Sequence, residues 1–306
     1  MLDGCGRDIR YVRISVTDLC NLGCVYCKPR PVPKLTHDDV MSVDEIIALA
    51  NDFVNAGFTK IRLTGGEPLV RKGIIPIVKG VCSVTDNVGL TTNGILLSEF
   101  AEELKAAGLK GVNVSLDTLD PEAYRKITGG GKLSEVFKGI DAAKAAELKI
   151  KLNAVLQRGI NFDPLPLLEY AEKTGAELRM IELMPFASTL GYVDERALNA
   201  ENWLRSLGAE HILDEGKTSL YRYRGHELKV IAPLSRNFCA ECDRIRVTCT
   251  GMLLPCLHGA KAYPVRDKIG SAGFADYLGS VLKLKPPAHG IGEGIYQNMD
   301  MGSIGG

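Results

Sequence analysis

The cysteines are the residues of this chain whose spacing most directly indicates chemistry. There are nine, an odd number that argues against a secreted disulfide framework and for metal binding or catalysis in a reducing compartment. Six form two triads, and the three isolated ones are expected to be structural. The first triad is Cys20, Cys24 and Cys27, the second is Cys239, Cys242 and Cys256, and the isolated cysteines are Cys5, Cys82 and Cys249.

The first triad has the spacing C-x-x-x-C-x-x-C. Three thiolates on one loop can hold a 4Fe-4S cluster and leave one iron open to an exogenous chelating molecule. A zinc site is the alternative, but structural zinc sites usually close with a fourth Cys or His, and His37 is the only histidine nearby. The spacing therefore favours a cluster with one open position.

The second triad presents its ligands in a similar way. Cys256 follows Cys242 after thirteen residues, across a turn predicted at Thr250-Gly251. Three ligands again leave one iron open. Cys249 is the alternative fourth ligand, and its binding would close the cluster and make it an electron carrier.

Strand alternation separates Cys249 from the arginines next to it. Cys249 shares a face with Ile245 and Val247, whereas Arg244 and Arg246 lie on the other face. We therefore expect Cys249 in the core and both arginines beside the second triad.

The elements that must position the first triad form a repeated pattern from residue 10 to about residue 186. Six short apolar runs alternate with amphipathic helical segments, which is the signature of βαβ units. The predicted strands are 11–16, 60–63, 87–90, 111–114, 149–155 and 177–183. This pattern predicts an α/β fold, a partial (β/α)6 barrel similar to a TIM barrel and left open on one side.

Polar and glycine-rich segments follow these strands, where parallel barrels collect their chemistry. The first triad follows strand one, and TGGEP, TTNG and SLD follow strands two to four. One rim is therefore predicted to gather them, with the second triad near the other end of the barrel.

The alternation of short apolar runs and helical segments ends after residue 186. Residues 1–186 are predicted to form the barrel, and residues 187–306 a C-terminal domain that carries the second triad and closes the open side. That part contains a helical segment AENWLRSL, a hairpin-like segment SLYRYRGHELKVI, and a glycine-rich tail suited to entering a cleft.

The overall composition excludes several classes of partner. The chain has 37 basic and 37 acidic residues, so no net field attracts it to nucleic acid or to a membrane surface. It lacks an apolar run long enough to span a bilayer and an N-terminal signal peptide, so the cytoplasm is the expected location. Its oligomeric state, including a homodimer, is left open.

The barrel motifs together resemble the radical SAM superfamily. The carriers of this resemblance are the cysteine spacing with Tyr26 before the last cysteine and TGGEP at 64–68. The resemblance implies a 4Fe-4S cluster with bound S-adenosylmethionine (SAM), and a low-potential electron donor of the flavodoxin or ferredoxin type. The cofactor-binding residues it implies are Tyr26, Gly65, Gly66, Glu67, Thr92, Asn93, Ser115, Asp117 and Met184.

Nearly the whole chain is similar to one family within it, the GTP 3′,8-cyclases of molybdenum cofactor biosynthesis (the MoaA family). The resemblance rests on C-x-x-C-x-R-x-R, a distant cysteine and a final Gly-Gly, besides the barrel motifs. It implies a lyase with a second 4Fe-4S cluster, and a product passed to cyclic pyranopterin monophosphate synthase. Arg13, Arg244 and Arg246 are the implied catalytic residues, and those three are implied to bind GTP together with Lys60, Arg62, Lys151, Arg179, Gly305 and Gly306.

The sequence departs from that family at two places and leaves alternatives open. Lys28-Pro29 and a shortened loop follow Cys27, and Asp243 stands where the family usually has Asn. A carboxylate there is expected to neutralise part of the charge offered to an anion. The alternatives are a paralogue with another substrate, a dual-cluster peptide maturase, and a non-catalytic iron-sulfur or zinc protein.

Overall fold

The structure is a computed structural model that describes residues 1–27, 35–259, 261–299 and 301–305, without the side chain of Ser303. Its strands are β1 (Tyr11–Ser15), β2 (Lys60–Thr64), β3 (Val88–Thr92), β4 (Gly111–Ser115), β5 (Lys149–Leu156), β6 (Glu177–Glu182), β7 (Glu210–Glu215), β8 (Thr218–Tyr223), β9 (His226–Ile231), β10 (Arg244–Val247), β11 (Met252–Leu254) and β12 (Tyr263–Pro264). Its helices are α1 (Val43–Asn55), α2 (Ile74–Val84), α3 (Leu97–Ala106), α4 (Pro121–Thr128), α5 (Leu133–Ala145), α6 (Leu165–Thr174), α7 (Leu190–Arg196), α8 (Ala200–Leu207), α9 (Phe274–Leu282) and α10 (Met301–Ile304).

All of these strands belong to one sheet, in the order β12-β11-β10-β1-β2-β3-β4-β5-β6-β9-β8-β7. Strands β1 to β6 are parallel neighbours in chain order, as the alternating strand and helix pattern predicts. The ends of the sheet, β12 and β7, are not neighbours, so the sheet is not closed. The prediction of an α/β fold with a partial, TIM-like barrel is confirmed.

The C-terminal part of the chain extends this sheet at both edges. Strand β10 pairs in parallel with β1, and β9 pairs in parallel with β6. The predicted hairpin is formed by β8 and β9, which reverse direction at Arg224 and Gly225, both with positive φ. The domain boundary after residue 186 stays a prediction.

Local signals in the sequence fix where the helices begin and end. Helix α1 begins with a capping box, in which the Ser42 hydroxyl accepts from the Glu45 N–H and the Glu45 carboxylate accepts from the Ser42 N–H. Helix α4 begins at an Asp120 cap followed by Pro121, and ends at Gly129 with φ +68°. Because α4 ends there, the loop of the first triad can lie against its last turn.

A continuous apolar core lies between the sheet and the helices around it. Phe53 of α1 contacts Phe58 and Phe274, with ring centroids 4.9 and 5.4 Å away, so α9 packs onto the barrel. In the described part of the chain, no helix combines the length and the apolar character that crossing a bilayer requires.

Candidate active site

One cavity of about 370 Å³ is lined by residues of the parallel strands and by all six cysteines of the two triads. The first triad follows the C-terminal end of β1. Cys239 and Cys242 precede the N-terminal end of β10, which is parallel to β1. The two triads therefore lie at opposite mouths of the same cavity.

The loop of the first triad is held by main-chain hydrogen bonds to the end of α4. The N–H groups of Gly23 and Val25 donate to the carbonyls of Thr128 and Ile127, at 2.9 and 3.0 Å. The Cys20 sulfur accepts from the Leu22 N–H at 3.4 Å. The loop is therefore positioned by the fold, independently of anything that the thiols bind.

The electrostatics of the first triad fit a cationic iron cluster. Burial raises the pKa of Cys24 well above its usual value, and the nearby Cys27 and Asp117 raise it further. Thiolates crowded in this way need a positive partner, which a cluster supplies. Within the described ranges no three His, Cys, Asp or Glu side chains surround a single ion position, and His37 is exposed.

The two glycines of TGGEP allow the second loop to pack on the first. A Cβ on Gly65 would lie 2.6 Å from the Thr17 carbonyl, and one on Gly66 would lie 2.4 Å from the Leu19 carbonyl. The Gly66 N–H donates to the Thr17 carbonyl at 2.8 Å. Both glycines line the cavity beside the first triad. Glycine is required at these two positions because there is no room for a side chain.

Glu67 does not line the cavity, although the resemblance placed it among the cofactor-binding residues. It is 1% exposed, and its carboxylate accepts from the N–H groups of Leu69 and Asn93 and from the Thr92 hydroxyl, at 3.0, 2.6 and 2.8 Å. Burial raises its pKa to about 7 in spite of these donors. Glu67 thus ties the second loop to the end of β3, where Thr92 and Asn93 line the cavity.

The remaining predicted cofactor-binding residues line the cavity at this mouth. They are Tyr26, Ser115, Asp117 and Met184. The Tyr26 hydroxyl donates to Asp117 at 2.6 Å, and the Val155 N–H donates to the other oxygen at 2.8 Å. Burial raises the pKa of Asp117 to about 6, so near neutral pH this carboxylate is largely ionised and able to accept from a ligand hydroxyl.

Between the mouths, five cationic side chains line the cavity in two tiers fixed by the strand register. Arg13 is paired with Arg62 on one side and Arg246 on the other. One step toward the second triad, Tyr11 is paired with Lys60 and Arg244 in the same way. Lys60 and Arg62 are two residues apart on β2 and therefore share one face of that strand. Both line the cavity, so that face is the lumen side.

Two of these cations, Arg62 and Arg244, have no carboxylate partner among the described residues. In the part of the chain that the structure describes, Arg62 and Arg244 form no ion pair with a carboxylate, and the Nε of each is buried without a hydrogen-bond acceptor. Burial lowers the pKa of Arg246, and the neighbouring Arg13 lowers it further. Buried donors that repel one another form a site for a polyanion.

Lys151 and Arg179 differ from the other predicted substrate-binding cations because both contact Glu177. Arg179 donates to that carboxylate through Nε at 2.6 Å, and Lys151 Nζ lies 3.8 Å from it. Arg179 lines the cavity and Lys151 does not. Nothing local in the sequence indicates this pairing, because Glu177 reaches Lys151 only through the register of β5 and β6.

The glycine-rich tail reaches the same tier of cations. The Gly305 carbonyl accepts from Arg246 of its own chain. Ile304 is fully buried against Phe186 and Leu254, and a Cβ on Gly305 would lie 2.5 Å from Thr64 Cγ2. Gly306, and Lys28-Pro29 near the first triad, lie outside the described residues.

Two expectations about the second triad have clear structural counterparts. Cys249 is 2% exposed, belongs to the core and does not line the cavity. Asp243 forms an ion pair with Lys217 of the loop between β7 and β8, and it is absent from the cavity lining. Its carboxylate is therefore balanced by a lysine, which weakens the expectation that it neutralises the arginines.

The sequence reasoning expected Thr91 and Asn153 at the rim without giving them a role, and it missed His258 and Lys285. Asn153 Oδ1 and Thr91 Oγ1 are buried in the cavity without a hydrogen-bond partner among the described residues, and both nitrogens of His258 are in the same situation. Lys285 lines the cavity beside the second triad. Nothing local in the sequence marks His258 or Lys285.

Comparisons with known families divide the chain as its motifs do. Residues 14–171 match the family described as "Radical SAM superfamily". Residues 176–291 match the family described as "Molybdenum Cofactor Synthesis C".

Relatives with curated names cover almost the whole chain. A protein named "GTP 3′,8-cyclase" from Peptoclostridium acidaminophilum is 42% identical, and the match covers 100% of this chain and 98% of the relative. A protein of the same name from Rhizobium meliloti is 39% identical over 94% of this chain and 88% of the relative.

A solved structure shares the fold at low sequence identity. The crystal structure of Streptococcus suis SuiB bound to S-adenosylmethionine has a TM-score of 0.61 and 12% identity, covering 88% of this chain and 68% of that one. This likeness supports the open, TIM-like sheet and says nothing more about chemistry.

Proposed function

Since the chain belongs to the radical SAM superfamily and, within it, to the family of the GTP 3′,8-cyclases, we propose that it converts GTP to 3′,8-cyclo-7,8-dihydro-GTP in molybdenum cofactor biosynthesis. The observation that carries this proposal is one cavity with a cysteine triad at each mouth and buried cations between them, of which Arg62 and Arg244 have no carboxylate partner among the described residues. The enzyme is a lyase.

Two 4Fe-4S clusters and SAM fit the residues at the mouths. Cys20, Cys24 and Cys27 would hold one cluster, and Cys239, Cys242 and Cys256 the other. When bound, the first cluster and SAM supply a 5′-deoxyadenosyl radical that removes the 3′ hydrogen of GTP, and the second cluster supplies a binding position for guanine.

The chain itself binds and orients the substrate. Arg62, Lys60 and Arg244 carry the charge to bind the triphosphate, and the Nε of Arg62 and of Arg244 is a buried donor without an acceptor among the described residues. Arg179 adds a donor that Glu177 partly balances. Lys151 adds positive charge beside Arg179, because both side chains contact Glu177. Arg13 and Arg246 share a tier with Arg62 and lie one step nearer the first triad than Lys60 and Arg244, where they orient the ribose and base for attack at C8.

The tail completes the wall of this space. The Gly305 carbonyl fixes the Arg246 guanidinium, and we assign Gly306 to the same surface. At the SAM mouth, Tyr26 holds Asp117 in place, while Gly65, Gly66 and Asn93 provide main-chain and amide groups for the methionine end of the cofactor.

The wider setting of the reaction follows from this chemistry. The electron for SAM cleavage is proposed to come from a flavodoxin or ferredoxin, and the product is proposed to pass to cyclic pyranopterin monophosphate synthase. We place the enzyme in the cytoplasm. A peptide maturase is disfavoured, because the C-terminal match and the curated relatives agree on the cyclase.

The deciding experiment is anaerobic cluster reconstitution followed by incubation with SAM, dithionite and GTP. Mass spectrometry is expected to detect the cyclised nucleotide, and GTP deuterated at the 3′ position is expected to place deuterium in 5′-deoxyadenosine. ATP in place of GTP is the control. Formation of 5′-deoxyadenosine without any GTP-derived product would overturn the substrate assignment.

The role of the lumen arginines has a separate test. Replacing Arg244 by Ala is expected to suppress cyclisation about tenfold or more and to leave SAM binding intact, because the residue lies at the far tier from the first triad. Cyclisation is followed by product formation and SAM binding by equilibrium dialysis. An equal loss of SAM affinity would contradict this placement.

A further inference from the structure

Lys285 is a buried lysine beside the second triad that the mechanism above does not use. Lys285 is only 4% exposed, and it lines the cavity. Its ammonium donates to the Arg244 carbonyl at 2.9 Å and to the Pro255 carbonyl. Arg244 is two residues after Cys242, and Pro255 directly precedes Cys256. The ammonium therefore joins the two chain segments that carry these cysteines.

The charge of Lys285 has no acidic partner within the described residues. A buried ammonium is costly unless a counter-charge stabilises it. The ammonium donates to main-chain carbonyls two residues after Cys242 and directly before Cys256. A cluster that these cysteines bind as thiolates would bring negative charge to the same place, and would therefore supply the counter-charge that this lysine lacks.

The residues next to Lys285 fix the third cysteine. The Pro286 and Pro287 carbonyls accept from the guanidinium of Arg7, at 2.7 and 3.0 Å, and the Cys239 carbonyl accepts from it at 2.8 Å. The charge of Arg7 is balanced by Asp3, at 2.6 Å. The segment 285–287 is therefore the common support of all three cysteines, with only the lysine contributing an unbalanced charge.

We propose that Lys285 is a positioning residue of the second cluster, which holds the Cys242 and Cys256 segments together and supplies a fixed positive charge to the metal centre. Arg7 holds the Cys239 segment on the same support. The inference rests on the proposed function, because it requires the second triad to bind a cluster. A positive charge close to a cluster favours its reduced form, so the lysine raises the reduction potential.

The test uses the full chain with Cys20, Cys24 and Cys27 replaced by Ala, which leaves only the second triad. Lys285→Gln is compared in this background with Lys283→Gln, a matched change at an exposed position of the same segment. After anaerobic reconstitution, iron and sulfide are counted and the cluster is titrated by redox potentiometry with EPR detection. Lys285→Gln is expected to lower the ratio of reduced to oxidised cluster at a fixed potential about tenfold, or 59 mV for one electron.

Arg7→Lys separates position from charge. It keeps the charge but removes the fork that joins Cys239 to residues 286 and 287. We expect iron to be lost to a chelator several times faster than from the parent, with a smaller change in potential than Lys285→Gln causes.

The outcomes are distinguishable. A potential and a rate of iron loss in Lys285→Gln equal to those of Lys283→Gln overturn the inference. If Lys285→Gln takes up no iron, Lys285→Arg decides: iron uptake at the parental potential supports the inference, and no uptake or a lowered potential overturns it. If the parent with the intact second triad takes up no iron, the second cluster of the proposed function fails, and this inference fails with it.

Discussion

Arg62 lies in the lumen because the residue opposite it on β3 has no side chain. The strand register pairs Arg62 with Gly89, and a Cβ on Gly89 would lie 1.8 Å from Arg62 Nη1. The guanidinium therefore occupies the volume that any other residue at position 89 would fill. This glycine is a determinant of the cation site although it carries no chemistry itself.

Gly89→Ala is expected to displace that guanidinium and raise the KM for GTP about tenfold, the effect of losing one hydrogen bond to a charged group. Folding is expected to survive, because the displaced atoms are the end of a flexible side chain. Steady-state kinetics give KM, and SAM cleavage without GTP should be unchanged. Gly191→Ala, where an added Cβ meets nothing within 4 Å, is the control. An unchanged KM would show that Arg62 does not bind the triphosphate from this position.

Glu67 gives the protein without cofactors a predictable pH dependence. The pKa of this buried carboxyl is about 7, against 4.5 for an ordinary glutamate. The native state therefore holds a proton that the unfolded chain has released between these values. The contribution of Glu67 to the free energy of unfolding is fully present below pH 4.5 and is lost as the pH rises through about 7.

Glu67→Gln is expected to remove this part of the pH dependence, which amounts to about 1.4 kcal/mol for each unit of pKa shift. Urea denaturation of the cluster-free protein at pH 5 and pH 7.5 measures it. Glu102→Gln, an exposed change, should keep the slope of the parent. If both variants lose stability equally between the two pH values, Glu67 is ionised throughout and the shift is absent.

At the residue scale, the sequence indicated the groups whose types carry chemistry and missed those that position them. Spacing selects the six cysteines that line the cavity, and strand alternation predicts Cys249 in the core, where it is 2% exposed. Gly89 and Lys285 escape such reasoning, because their importance comes from contacts with residues more than 20 positions away in the chain, the Arg62 side chain and the Arg244 carbonyl. Glu67 was assigned to the cofactor, and its carboxylate instead bonds to the protein.

At the scale of elements, the helix α10 and the residue after it bring a main-chain carbonyl to Arg246. Gly305 adopts φ +77°, a conformation that L side chains rarely adopt, in contact with Thr64. Gly294 has the same φ in the same tail and has nothing within 4 Å of an added Cβ. Both glycines have the same positive φ, but only at Gly305 would an added Cβ contact a neighbouring residue, Thr64.

Gly305→Ala is therefore expected to reduce cyclisation more strongly than Gly294→Ala, by about tenfold, while uncoupled SAM cleavage continues in both. Product formation and hydrogen exchange of residues 301–305 measure the effect. Equal activity of the two variants would mean that strain, and not the contact with Thr64, controls the seating of the tail.

The elements of the barrel were the most predictable part of the fold. Alternating apolar runs and helical periods placed all six parallel strands within about two residues. The positions of β9 and β10 beside β6 and β1 could not be foreseen, because strand pairing between distant segments leaves no local pattern. Those two pairings place the second triad opposite the first.

At the scale of the whole molecule, the two triads are separate sites joined by one cavity. Cys239→Ser is expected to remove about half of the bound iron and to abolish cyclisation, since only the second cluster loses a ligand. SAM cleavage without GTP turnover should survive, because the hydrogen bonds that hold the first-triad loop to α4 do not involve the second triad. Iron analysis and 5′-deoxyadenosine assays check this, with Cys5→Ser as an exposed control. Full iron content with normal GTP turnover would contradict a second cluster.

The pairing of β1 with β10 also bears on how the protein is made. During translation the ribosome delivers β1 early, and its outer edge stays unpaired until residues 244–247 have emerged. Over that interval the nascent chain displays an apolar edge strand beside three reactive thiols, a combination prone to aggregation and to oxidation. In heterologous production, oxygen and a shortage of chaperones should therefore lower the yield of folded protein most before residues 244–247 have been synthesised.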